Sequence, residues 1–250
     1  MTAPVDRRIR LQGSYNFRDV GGYAAVNGQV VRWRRLYRSD ALHRLTGEDL
    51  EILRPIRVST LLDLRTLREL EESGHSQLVS MHGVTHRHVP FIQDLDDHID
   101  NNAPVSMDEL YVGMLEHGAE SLRGVFLALA EESTYPAVVH CAAGKDRTGM
   151  TVALVLRTLG VSDADIALDY TLPYGYYEEN NDTLLAMGRG PLFEGLPPEL
   201  LIATPELILG LLRVIDERFG SSEQFLLDCG VPPDAFDQIR HLLLDRGGPA

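Results

Sequence analysis

The chain has 250 residues, 44% hydrophobic and 24% charged, with 37 acidic against 23 basic side chains and a net charge of -14. This is the balance of a soluble globular protein with ample core, and its charge opposes binding to nucleic acid or to an anionic membrane surface. No apolar run approaches the ~18 residues of a membrane span, and the arginine-bearing N-terminus lacks a signal-peptide core, so no stable membrane insertion is expected.

Residues 1–10 read as a loose arm or edge segment. Asn27-Gly28 is a hairpin turn signal, followed by the strand-like stretch Gln29 to Tyr37. Arg18 and Arg38 admit two readings, a place near an active site or a hairpin held by buried Arg-Asp pairs. Thr46 with Asp49 three residues on is a capping box, heading a helix that runs to about Arg54 before Pro55. Val58 to Leu64 is a near-continuous apolar strand of the kind buried in a parallel sheet. It carries Asp63 at its C-terminal end, where open α/β sheets place their sites. Asp63 is therefore a candidate acid, or else the structural partner of Arg65 or Arg68.

A helix is expected from about Thr66 to Ser73 and a strand from Val84 to Phe91. His82, His86 and His88 raise the question of metal ligation, but only two share a strand face and no third ligand has suitable spacing. Helices are predicted at about Ser106 to Glu116 and Glu120 to Glu132, after the acidic loop Gln93 to Asp100.

The apolar run Ala137 to Val139 then leads through His140 into Cys141-Ala-Ala-Gly-Lys-Asp-Arg147-Thr-Gly, with a helix beginning near Thr148 and reaching Leu159. A strand, a tight loop and a helix N-terminus in succession make a cradle of backbone N–H groups, with the positive end of the helix dipole behind it. Both favour Cys141 as a thiolate. Ala142, Ala143, Gly144, Lys145, Asp146, Arg147 and Thr148 are the expected phosphate-binding set. The Arg147 fork suits two phosphoryl oxygens, Gly144 allows a backbone a side chain would block, and Thr148 is a candidate donor to the sulfur. His140 is positioned to orient the loop. Of the 23 basic side chains only Lys145 is a lysine, placed at the loop rim where a compact ammonium fits better than a guanidinium. The Walker pattern is absent here.

Beyond the loop, Gly160 caps the helix and another runs from Asp163 to about Thr171. Residues 172–203, rich in Tyr, Asn, Gly and Pro, read as a mobile insert or a plain long connection. Helices are expected from Thr204-Pro205 to Phe219, over Ser222 to Asp228 and from Pro233 to Leu244, with a loose tail at 245–250. Cys229 reads as a small buried hydrophobe. A nucleophilic Cys141 does not also form a structural disulfide, so a reducing cytoplasm is the expected setting, with signal-independent secretion a further route. The alternation of strands and helices predicts one α/β domain over 1–250, a mostly parallel sheet flanked by helices with an N-terminal hairpin and a helical C-terminus.

His140 to Gly149 resembles the signature of the cysteine-dependent protein tyrosine phosphatase superfamily, and its Gly-Lys-Asp-Arg-Thr form resembles the bacterial branch that includes mycobacterial protein tyrosine phosphatase B. The Arg-Asp-Val-Gly-Gly stretch from Arg18, the Leu-Tyr-Arg-Ser-Asp-Ala-Leu stretch from Leu36 and the C-terminal phrases are similar to the same branch. The resemblance implies a phosphomonoester phosphatase acting through a phosphocysteine on Cys141, with no metal or organic cofactor. It implies phosphorylated protein or phosphoinositide as substrate, and a helical lid over 172–203. For the general acid it implies Asp146 inside the loop, with Asp94, Asp96 and Asp97 as upstream candidates by position beside Asp63. A phospho-ligand binding module and a sulfur-transfer or oxyanion-reducing use of the thiolate are the rival readings. Oligomeric state is not legible.

Overall fold

In the computed structural model, which describes residues 6–81, 83–91, 107–178 and 203–246, the strands are β1 (Arg18–Asp19), β2 (Gln29–Val31), β3 (Leu36–Ser39), β4 (Thr60–Asp63), β5 (Thr85–His88), β6 (Ala137–His140) and β7 (Leu244–Arg246). The described helices are α1 (Gly47–Leu53), α2 (Leu67–Ser73), α3 (Met107–His117), α4 (Ala119–Leu129), α5 (Asp146–Thr158), α6 (Asp163–Glu178), α7 (Pro205–Phe219), α8 (Ser222–Asp228) and α9 (Pro233–Leu243). Five strands form one sheet in the order β1-β3-β6-β4-β5, parallel except for β1 against β3.

β6 is central and buried at all four positions, which is why its residues read as an uninterrupted apolar run. The period of two sorts the sheet's side chains between two cores. Tyr37, Val138 and Leu61 are in register and join Phe17, Leu42, Leu45 and Leu53 on one face. Leu36, Ala137, Val139 and Leu62 join the larger core of α4, α5, α7 and α9 on the other. Register also aligns Ser39, His140, Asp63 and His88 across the C-terminal edge, so the chain leaves β6 into Cys141 at the edge where parallel sheets carry their sites.

The predicted capping box at Thr46 with Asp49 is formed, and a second, at Thr66 with Glu69, heads α2. Three boundaries differ from the sequence reading. The stretch from Gln29 to Tyr37 breaks at Arg34, which has φ 62 and donates its backbone N–H to Asp19 Oδ2 at 2.8 Å, so β2 and β3 enter different sheets. The tail contributes β7, which pairs antiparallel with β2 from Leu244 to Arg246 in a separate two-stranded sheet. The helix expected to stop near Thr171 continues to Glu178, into the segment expected to form a lid; the remainder of that segment, 179–202, lies outside the described residues, as do His82, Asp94, Asp96 and Asp97. Of the N-terminal arm, Arg8 bridges Arg18 and Arg7 lies 3.8 Å from the Tyr23 ring centroid, making the edge-segment alternative the one adopted. Among the described residues no helix is long and apolar enough to cross a membrane.

Candidate active site

Cys141 is buried at the mouth of β6, and the N–H of Gly144 donates to its Sγ at 3.2 Å. The turn that allows this has Gly144 at φ 67, a left-handed backbone, and a Cβ there would sit 2.5 Å from the carbonyl oxygen of Ser39. Glycine is therefore required twice over, by dihedral and by space. The Gly144 carbonyl accepts from Asn16 Nδ2 and from Arg38 Nη2, both at 2.9 Å. Two buried donors from the N-terminal segment thus hold the loop from beneath.

Arg147 lies in the first turn of α5, and its Nη1 and Nη2 donate to Glu69 at 2.5 and 2.7 Å, with Nη1 also 3.4 Å from the Leu64 carbonyl. Burial lowers the guanidinium's proton affinity, but Glu69 and Cys141 more than offset it and the net direction is up. Glu69 in turn is held below the usual carboxylate range: burial pushes it up, and Arg147 with the Thr66 N–H outweighs that. One carboxylate therefore caps α2 and fixes the end-on edge of Arg147. Thr66-x-x-Glu69 was readable as a cap, but nothing local to it announced the arginine 78 positions away.

Asp146 is buried and accepts from the Tyr111 hydroxyl at 2.7 Å; Tyr111 is hydrogen-bonded in turn to the hydroxyl of Tyr170. Lys145, expected at the rim, is instead buried, with Nζ 3.4 Å from Asp146 Oδ1. The turn that makes the cradle folds this side chain inward against the loop's own carboxylate. Ala142 and Ala143 are half-buried at the opening. Thr148 Oγ1 is fully buried without a hydrogen-bond partner among the described residues, an arrangement that suits a donor reserved for a bound group.

Asp63 does not fit the role of acid. Its carboxylate is fully buried and takes a bidentate fork from Arg65, Nε at 2.9 Å and Nη2 at 2.6 Å, with His86 Nε2 at 3.1 Å. Burial alone would raise it, but His140, Arg65 and His86 together hold it well below the usual carboxylate range. Such a group stays ionised and is a structural anchor under the loop, the second of the two sequence readings. His86 and His88 are engaged by Asp63 and by the Arg65 carbonyl, and among the described residues no three potential metal ligands converge. The Arg-Asp pairs expected within the hairpin also form differently: Arg18 and Arg38 both reach Asp169 of α6. Cys229 is only half-buried, with burial pushing its thiol up to about 11.

His140, buried beside Cys141 with Nδ1 3.5 Å from the Cys141 carbonyl, is pushed down to about 4 by burial, against the opposing pull of Asp63. It is thus neutral in the fold at pH 7. Because the unfolded imidazole titrates near 6.5, the unfolded chain takes up this proton first, so stability is full above about pH 6.5 and declines as pH falls toward 4. The expected size is about 3 kcal/mol across that window. Urea unfolding of wild type and His140→Asn from pH 7 to 4 checks this: the variant should show a shallower slope.

A buried cysteine at the end of a central parallel strand, an amide turned onto its sulfur and an arginine at the next helix start define a class of α/β enzyme built to hold a phosphoryl group against a thiol. A profile of the tyrosine phosphatase family matches residues 9–245, and the chain belongs to that family and is a phosphatase. It is 27% identical to the triple specificity protein phosphatase PtpB of Mycobacterium tuberculosis, over 94% of this chain and 98% of that one. It is 30% identical to a putative tyrosine-protein phosphatase of Cupriavidus necator, over 86% of this chain and 81% of the relative. Among solved structures, the Siw14 catalytic core aligns with 76% of this chain and 99% of its own at 15% identity and a TM-score of 0.41.

Proposed function

We propose that this phosphatase hydrolyses phosphotyrosine, with phosphoserine and phosphothreonine as further substrates, through a phosphocysteine on Cys141. The observation that carries the mechanism is the Gly144 N–H directed at Sγ, which places the sulfur inside the anion cradle. Cys141 attacks phosphorus in line, forming the S–P bond as the P–O bond to the leaving group breaks. Asp146 gives that oxygen its proton, and water then attacks phosphorus, returning a proton to Asp146 and releasing inorganic phosphate and the thiolate. The loop amides from Ala142 to Thr148 receive equatorial oxygens. Glu69 takes the end-on edge of Arg147, so its side-on edge, Nε–H with the second Nη2–H, is the edge assigned to the phosphoryl group. Thr148 Oγ1 is the donor assigned to the sulfur as it departs.

A phosphoinositide substrate is the second reading, supported by the ammonium of Lys145 built into the loop. Phosphate release from matched phosphotyrosine, phosphoserine and phosphothreonine peptides and from mono- and bis-phosphorylated inositol lipids separates the two. Phosphotyrosine peptide is expected to give the highest kcat/KM. A lipid ranking first reverses the assignment, and phosphopeptide binding without turnover on any substrate leaves only a binding module.

A further inference from the structure

Asp146 carries a demand that a single hydrogen bond does not meet. In the reading above it is protonated while the leaving group departs and ionised when water is activated, yet it is buried in both states. A buried carboxylate that loses its partner in either state forfeits a hydrogen bond and slows that step.

The surroundings supply a reversible answer. The Tyr111 hydroxyl holds one proton and touches both Asp146 Oδ1, at 2.7 Å, and the Tyr170 hydroxyl. When Asp146 is ionised, Tyr111 donates to it and accepts from Tyr170. When Asp146 is protonated it can donate to the Tyr111 oxygen, and Tyr111 turns its own proton toward Tyr170. Both phenols are fully buried side chains on different helices, α3 and α6, and the Tyr170 ring lies so close to α5 that a Cβ on Gly149 would be 2.7 Å from its Cε2. The pair therefore has a fixed place and two rotatable O–H bonds. Burial and the charge of Asp146 keep both phenols protonated far above neutrality.

We propose that Tyr111 and Tyr170 are positioning residues forming a two-hydroxyl relay that satisfies Asp146 with and without its proton, so one carboxylate serves as acid in the first half-reaction and base in the second. This rests on the assignment of Asp146 above. The other charged groups facing the relay are Lys145, 3.4 Å from Asp146, Arg147 on the same helix turn, and Arg38 behind Tyr170.

The test is the pH dependence of kcat/KM and kcat on a phosphotyrosine peptide for wild type, Tyr111→Phe and Tyr170→Phe, with a rapid-quench burst to separate the two half-reactions. Tyr111→Phe removes both the donor to the ionised carboxylate and the acceptor for the protonated one, and the charge-assisted bond to the ionised form is the stronger of the two. The alkaline limb of kcat/KM, where the acid loses its proton, should move up by about one pH unit, the worth of one hydrogen bond to a charged group. Tyr170→Phe leaves that donor in place and should move the limb less, but measurably, so it carries the test if Tyr111→Phe does not fold. In an Asp146→Asn background neither substitution should move a limb. Profiles that superimpose on wild type after scaling would overturn the relay and leave the tyrosines as packing. Absence of a phosphoenzyme burst in wild type is a different failure, since it removes the phosphocysteine reading itself.

Discussion

Cys141→Ser is expected to reduce kcat on phosphotyrosine peptide by on the order of 10⁴-fold or more while leaving substrate affinity within a few-fold of wild type. Serine retains the shape of the side chain, the Gly144 turn and the arginine, so the anion cradle survives. What it loses is a nucleophile: at neutral pH a serine hydroxyl is un-ionised, and among the described residues no base is free to activate it in the first step, because Asp63 is locked on Arg65 and His86, His140 lies against the Cys141 carbonyl, and Asp146 enters that step in its acid form. Acid-quenched enzyme incubated with labelled substrate should carry phosphate on Cys141 in wild type and none in the variant. Substantial residual turnover would show that the phosphoryl group is transferred directly to water.

The second large effect is on stability. Asp169 of α6 accepts from Arg38 Nη1 at 2.5 Å and Arg18 Nε at 3.4 Å, with the Tyr23 hydroxyl at 3.2 Å from Oδ1, and all three charged side chains are at most 2% exposed. Asp169→Ala leaves two buried guanidinium groups without their counterion, a loss of about 3–5 kcal/mol. That corresponds to a Tm lower by roughly 10 °C. Activity should fall with it, because Arg38 uses its other nitrogen, Nη2, to hold the Gly144 carbonyl of the catalytic loop. Burial pushes the Asp169 carboxyl up, but Arg18 and Arg38 outweigh it and the net direction is down. Stability from this group is thus present above the unfolded-state value near 3.9 and lost as pH falls through the folded one. Thermal melts from pH 7 to 3 should show wild type and Asp169→Ala converging at the acid end. An unchanged Tm at pH 7 would mean that the two arginines find other partners.

What the sequence determined by itself was everything decided within a few residues. The apolar run before Cys141, the glycine inside the loop, the arginine at the next helix start and the Thr-x-x-Asp and Thr-x-x-Glu caps are local signals, because backbone dihedrals, periodicity and capping act over about one turn. They were enough to single out Cys141 and the loop after it as the candidate site, and that stretch carries the most specific part of a family likeness that runs over residues 9–245. The supports of the site were decided only in three dimensions. Asn16 meets Gly144 across 128 positions, Arg38 meets Asp169 across 131, Glu69 meets Arg147 across 78, and Tyr111 meets Asp146 across 35. Asp63 shows the same limit: its strand-end position fits an acid or an anchor equally well, and the choice fell to Arg65, His86 and His140 converging on one buried carboxylate. Hydrogen-bonding capacity is written in each side chain, but which capacity is used depends on which helices and strands pack together, and burial then turns that choice into a large energy.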